Sequence, residues 1–296
     1  MVAVSLRRRR LAAAIHQIRE DAGLTLVQAA KISGFSQPKL SRIEAMAIGI
    51  SGDDTLTYCT NLGVPEEVTE ALVQLARRAK SRDWWRPYSD VLGRSAGFFE
   101  LEADAVSVRS FTLDVIPGLV QTPEYCHAMI RDGLNGEPEE AIRQRVEARM
   151  QRQAKLDDPK LTFWAIIDES ALMRNYGGAA VMADQLEKLT RNAQQGNISI
   201  QVLPLDAGVH GAVGTPFDAY TLTDGLGVIA RDDITGGYYI ENEEEVQAYN
   251  RAWSELIAAA LPFGDSIERL RRRSMEHRSR ARGISGEMAE KHAKRQ

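Results

Sequence analysis

Cysteine is scarce in this chain. Its two cysteines, Cys59 and Cys126, are far apart in sequence, and neither has a Cys or His at metal-ligand spacing around it. That excludes a disulfide framework and leaves no zinc motif to organise the fold, so neither a metal nor any other cofactor is expected. His127 directly follows Cys126, but neighbours on a helix point in different directions, so the pair does not read as catalytic. Long apolar runs are also missing. None approaches the roughly 20 residues needed to cross a bilayer, and the N-terminal residues lack the apolar core of a signal peptide. A cytoplasmic protein with no membrane partner is therefore expected. Gly177-Gly178 stands without a phosphate-loop pattern, and Ser170 has no flanking elbow glycines.

What the chain does have is apolar content and uneven charge. With 296 residues and 44% hydrophobic side chains it can fill two cores. The net charge of −4 hides an asymmetry: residues 7–50 carry eight Lys/Arg against three acidic groups, and residues 268–296 carry ten against four, so the intervening stretch is strongly acidic. An acidic body is repelled by phosphates, which confines nucleic-acid contact to the N-terminal segment, with the basic C-terminal stretch able to add nonspecific attraction.

That segment carries the most specific pattern. Thr25 followed by Gln28 is a capping box that starts a short helix, and Ala29 and Ala30 are small enough for a second helix to cross closely. Gly34 supplies the positive φ of a tight turn. Ser36 then caps a second helix with Pro38 in its first turn; Phe35, Leu40 and Ile43 form its apolar stripe, and Gln37, Lys39, Ser41 and Arg42 its polar face. Such side chains reach base edges and phosphates in a major groove. Upstream, Leu11, Ala14, Ile15 and Ile18 have one-face spacing. The Arg7-Arg8-Arg9-Arg10 run before them reads equally as a phosphate-contacting arm, with Arg8 and Arg9 as candidates, or as a solvated helix start.

Residues 7–75 thereby resemble the helix-turn-helix domain of phage-repressor-type (xenobiotic-response-element) regulators. The resemblance implies double-stranded DNA as partner, with Gln37, Ser41 and Arg42 as base readers, Ser36 beside them, and Lys39 on phosphate. It also implies a structural pair between Arg19 and Glu44. After that glutamate this chain has Ala45-Met46-Ala47-Ile48-Gly49 where the family commonly has a glycine and then a basic residue. A longer recognition helix and a missing phosphate contact are the expected consequences. One such module reads few base pairs, so a homodimer on paired half-sites is expected.

Asp53 or Asp54 is read as the cap of a helix through Leu62, and Pro65 as the start of another reaching Arg82. The residues Asp83-Trp84-Trp85-Arg86-Pro87-Tyr88 form an elbow. The expected domains are 1–82 (all-α, DNA-binding), 83–273 (α+β, regulatory or partner-binding) and 274–296, a basic tail disordered beyond about 275. The fold class is α+β overall. In the second domain, 102–112 gives mixed helical and extended signals. Helices are expected over 123–132, 138–156, 178 or 181 to 195, and 243 or 244 to 261, and strands over 161–168, 198–203, 217–222, 228–232 and 237–241 in a small, mainly antiparallel sheet. The turns are set by Thr223-Asp224-Gly225 and Thr235-Gly236-Gly237.

This half, through Trp84-Trp85, Leu101-Glu102, Pro117-Gly118-Leu119-Val120-Gln121-Thr122-Pro123-Glu124-Tyr125, Arg152-Gln153, Asp168-Glu169 and Ile200-Gln201-Val202-Leu203-Pro204, resembles the effector half of actinobacterial WhiJ-type regulators. The resemblance implies an antitoxin-like repressor that binds DNA at its own locus and works with a small acidic partner protein encoded nearby. Two other readings stay open. A sensor domain would hold a small molecule among Phe163, Trp164, Tyr220 and Trp253, which equally suit a plain core. A hydrolase would use Asp168, Ser170 and His210, although Asp168 and Ser170 more plainly cap the next helix. Arg145, Arg149 and Arg152 share a helix face, facing solvent or pairing with acidic groups of this chain or a partner.

Overall fold

The computed structural model describes residues 5–80, 84–133, 136–233 and 236–293. Contacts divide the chain into two compact units, Met1–Ser89 and Asp90–Gln296. The expected helix end at Arg82, the elbow residue Asp83 and the turn residue Thr235 lie outside the described residues.

The first unit contains α1 (Leu6–Asp21), α2 (Leu26–Ser33), α3 (Gln37–Glu44), α4 (Gly52–Asn61) and α5 (Glu66–Lys80), followed by one helical turn, α6 (Ser89–Leu92), at the boundary. Local chemistry fixes most ends. The Thr25 hydroxyl accepts from the Gln28 amide at 3.3 Å while Gln28 Oε1 accepts from the Thr25 amide at 2.9 Å, closing the capping box of α2. Gly34 ends that helix at φ +77°. Ser36 Oγ accepts from the Lys39 amide at 3.4 Å and starts α3. Ser51, and neither Asp53 nor Asp54, caps α4, accepting from the Asp54 amide at 3.0 Å. The two aspartates sit instead in its first turn, where the helix dipole favours them. Leu11, Ile15, Ala29, Leu40, Ile43 and Tyr58 meet in one core.

The recognition helix does not run on toward Gly49. It stops at Glu44 because Met46 takes the left-handed conformation at φ +59°, so that its amide bonds Ile43 O and the Ala47 amide bonds Arg42 O. This is a Schellman closure with methionine where glycine is usual. Left-handed backbone costs a non-glycine residue about 1–2 kcal/mol, against about 0.5–1 kcal/mol of added chain entropy for glycine. Met46→Gly is therefore expected to stabilise this unit by about 0.5–1 kcal/mol in urea unfolding. No gain would mean that the partly exposed Met46 side chain repays the strain through packing.

The second unit is α+β. Its elements are α7 (Ala96–Asp104), β1 (Ala105–Thr112), α8 (Pro123–Gly133), α9 (Glu139–Arg152), β2 (Thr162–Asp168), α10 (Glu169–Met173), α11 (Ala179–Asn192), β3 (Ile198–Leu203), β4 (Phe217–Leu222), β5 (Gly227–Asp233), β6 (Gly236–Ile240), α12 (Glu243–Ala259) and α13 (Phe263–Ala293). The sheet runs β3-β2-β1-β4-β5-β6. β1, β2 and β3 are parallel neighbours, while β1–β4, β4–β5 and β5–β6 are antiparallel, so the sheet is open and mixed with antiparallel pairings in the majority. β1, whose sequence signal is ambiguous, joins the two halves at the centre.

One face is covered by α12, whose Val246, Tyr249, Trp253 and Leu256 pack on Phe111, Ile166, Phe217 and Ile229. Asn242 caps this helix, accepting from the Glu245 amide at 3.1 Å.

The stretch beyond 275, where disorder is expected, is described as helix. α13 continues to Ala293, and Ser266, Leu270, Ser274 and His277 are buried along one stripe. Ser274 Oγ donates to Ala183 O at 3.0 Å, and the His277 ring bonds Leu172 O at 2.9 Å. The stripe has helical spacing but only one large aliphatic residue, so it does not stand out by apolar content.

Candidate functional site

In the first unit, α1 and α3 are tied by a carboxylate–guanidinium fork. Arg19 Nε and Nη2 donate to the two oxygens of Glu44, each at 2.8 Å, and both side chains are nearly buried. His16 Nδ1 lies 2.7 Å from Glu44 Oε2, and Arg19 Nη1 donates to Leu24 O at 3.0 Å. Burial alone would raise the Glu44 carboxyl, but the hydrogen bonds from Arg19 and His16 outweigh it and hold it below its ordinary value. The same carboxylate raises Arg19.

The opposite side of α3 is open. Ser36, Gln37 and Arg42 are exposed and Ser41 is half-buried, with Arg42 Nε turned onto Pro38 O at 3.3 Å. Lys39 differs from them: its ammonium pairs with Asp54 at 2.9 Å and lies 4.1 Å from the centre of the Phe35 ring. The arginine run also splits. Ser5 caps α1 and the arginines belong to the helix, with Arg7 buried, its guanidinium donating to Arg78 O at 3.2 Å; Arg8 is half-buried and Arg9 exposed.

In the second unit, the four aromatic residues considered for a pocket do not come together. Phe163 and Trp164 are consecutive in β2 and so face opposite sides of the sheet. Trp164 packs edge-on against Trp253 of α12 at 5.8 Å, whereas Phe163 and Tyr220 line a cavity of about 850 Å³ on the other face. Arg145, Arg149 and Arg152 of α9 line the same cavity.

Residues 95–272 match a family described as a domain of unknown function (DUF5753), and residues 10–72 match a helix-turn-helix domain. The first match covers more than half of the chain. The chain belongs to the DUF5753 family. No curated protein and no solved structure matches it significantly. The helix-turn-helix match supports a DNA-binding regulatory function in general. Among the described residues, no helix is long and apolar enough to cross a membrane, and no group of three or more His, Cys, Asp or Glu is placed to hold a metal ion.

Within the DUF5753 domain the cavity also holds carboxylates, to which the sequence assigns no role. Glu102, at the end of α7, is 4% exposed; its Oε1 lies 3.4 Å from Arg152 Nη2 and its Oε2 has no hydrogen-bond partner. Burial pushes its carboxyl up to about 7, with nearby Asp218 adding to the rise and Arg152 and Arg149 opposing it. Burial likewise raises Asp218 in β4, against hydrogen bonds from Ser110 and Tyr220. A detectable signal exists in hindsight: Glu102 and Asp218 are carboxylates set within apolar runs that form buried elements.

The hydrolase arrangement is not assembled. Asp168 caps α10, accepting from the Ser170 amide at 2.8 Å, and the Ser170 hydroxyl donates to Leu113 O at 2.6 Å. Glu169 is buried beneath Arg269 and Arg273 of α13, and His210 stacks edge-on against Phe111. Each of these groups is engaged in holding the fold.

Proposed function

We propose that the chain is a sequence-specific transcriptional repressor of the WhiJ-type, antitoxin-like class known from actinobacteria, binding operator DNA at its own locus as a homodimer. Its phage-repressor-type module reads base edges with Gln37, Ser41 and Arg42. Phosphate contact falls to Ser36, Arg8 and Arg9 in preference to Lys39, whose charge Asp54 already shares. A small acidic protein encoded nearby controls the repressor through the DUF5753 domain.

The observation that carries this reading is the exposed polar face of α3, on a helix whose other side is fixed to α1 by Arg19 and Glu44. Paired modules about 34 Å apart would place two such faces in successive major grooves. The test is fluorescence-anisotropy binding to the fragment upstream of the gene and to random DNA, across a salt series. Arg42→Ala is expected to cost about 1–3 kcal/mol on the specific site and little on random DNA. Equal losses on both would remove Arg42 from the readers, and wild-type binding no tighter than to random DNA would sink the repressor reading. A second reading, control by a small molecule, is favoured by the cavity in the DUF5753 domain.

A further inference from the structure

We propose that this cavity is a binding site for an organic anion with an apolar body, its carboxylate or phosphate head held by Arg149 with Arg145 and Arg152 beside it. The inference deepens the small-molecule reading and does not rest on DNA binding.

Size is suitable: about 850 Å³ lies within the range of small-molecule pockets, roughly 300–1,000 Å³. The walls give the body a place. Phe98, Val108 and Phe163 supply apolar surface, and Arg145, Arg149 and Arg152 of α9 line the same space.

The arginines are under-partnered for such a setting. Arg149 Nη1 donates to the neutral Gln121 Oε1 at 2.8 Å, and among the described residues no carboxylate lies within ion-pair distance of it. Arg152 has one carboxylate contact, at 3.4 Å, and stands over the Phe99 ring, while its Nε has no acceptor; Arg145 pairs with Glu137 at 3.5 Å through Nη2, and its Nε has no acceptor either. A guanidinium removed from water without a matching anion is costly, and its planar fork is shaped for carboxylate or phosphate.

Four carboxylates, Glu102, Asp114, Asp218 and Asp232, line the same space, but none is within ion-pair distance of Arg149 among the described residues. Burial also raises the Glu102 and Asp218 carboxyls, which weakens both as counterions. Glu102, with one oxygen unpaired, and Thr112, whose buried hydroxyl also lacks a partner, offer contacts to polar atoms on the ligand.

The test is isothermal titration of the full-length protein with decanoate, decyl phosphate and decan-1-ol, which share one apolar chain and differ in the head. One or both anions are expected to saturate at one per chain, at least about tenfold tighter than the alcohol, as charge-assisted hydrogen bonds of about 1.5–3 kcal/mol require. Which anion is tighter distinguishes a carboxylate ligand from a phosphate. Arg149→Met is expected to reduce anion affinity to that of the alcohol, and Ala230→Leu, which narrows the cavity from its β5 wall, to weaken all three probes together. Equal binding of alcohol and anions by the wild type would overturn the proposal, as would the absence of saturable binding. So would undiminished anion binding by a folded Arg149→Met protein. If that variant does not fold, the wild-type comparison of heads and the Ala230→Leu protein decide the matter.

Discussion

Arg19→Met is expected to destabilise the helix-turn-helix unit by about 3–5 kcal/mol, the range for removing one partner of a buried ion pair. The substitution keeps much of the apolar stem, so lost packing is small and the cost falls on Glu44. That carboxylate would remain almost buried with only His16 beside it, and the Leu24 carbonyl would lose its donor. Many small domains have only 5–15 kcal/mol in total, so the variant should be close to unfolding at moderate urea concentration. The double variant Arg19→Met/Glu44→Leu separates the value of the pair from the penalty of breaking it. It should recover most of the loss, because apolar replacement of a whole buried pair is often neutral. A single-variant loss under about 1 kcal/mol, by urea denaturation followed by circular dichroism, would show that solvent reaches Glu44 and that the fork does not hold α3 in place.

The same pair has a defined pH window. Glu44 is held below its unfolded value, so its contribution is fully present above about pH 4.5 and is lost as pH falls through the folded value. Acid should therefore loosen the attachment of α3 to α1, whereas mildly alkaline conditions should leave it intact.

Much of the first unit was legible because its signals are local. A capping box, a turn glycine and an apolar stripe each act within a few residues, and α2 and α3 begin where those residues place them. Glu44 ends α3 for a reason harder to read, since methionine in a left-handed conformation is selected by the closure around it and not by propensity. In the second unit β3 and β4 coincide with their expected ranges because alternation and turns bound them. β1 was ambiguous because a central strand takes its identity from neighbours on both sides, here β2 and β4, which lie far away in sequence. The buried face of α13 is hard to read for a related cause: Ser266, Ser274 and His277 are not apolar, and only their bonds to β3, α11 and α10 make that face a buried one. For the aromatic pocket the period-2 rule was available from sequence and separates Phe163 from Trp164. The cavity charges were not so available, since Glu102, Asp218 and the α9 arginines meet only through the tertiary fold.

Glu102 gives the second large prediction, and its sign is opposite to that of Glu44. A carboxyl that titrates near 4.5 in the unfolded chain and at about 7 in the folded one takes up a proton on folding between those values. Its effect on stability is therefore most favourable below about pH 4.5. It declines as pH rises through about 7 and is level above that. The difference of two to three pH units corresponds to about 3–4 kcal/mol, an upper bound, at about 1.4 kcal/mol per unit. The groups facing the carboxyl are Arg152 and Arg149 from α9 and Asp218 from β4. Asp218 is shifted in the same direction and remains in the variant, so part of the slope should persist. Glu102→Gln keeps the shape while removing the titration. It is expected to match the wild type near pH 5 and to exceed it by up to about 3–4 kcal/mol at pH 8, with a flatter profile between. Urea denaturation at pH 5, 6, 7 and 8, followed by tryptophan fluorescence, measures this directly, Trp164 and Trp253 being packed against each other in the second unit. Parallel profiles for the two proteins would mean that Arg152 keeps Glu102 ionised throughout. The arginine end of the cavity would then be neutralised from within, and its preference for an anion would weaken accordingly.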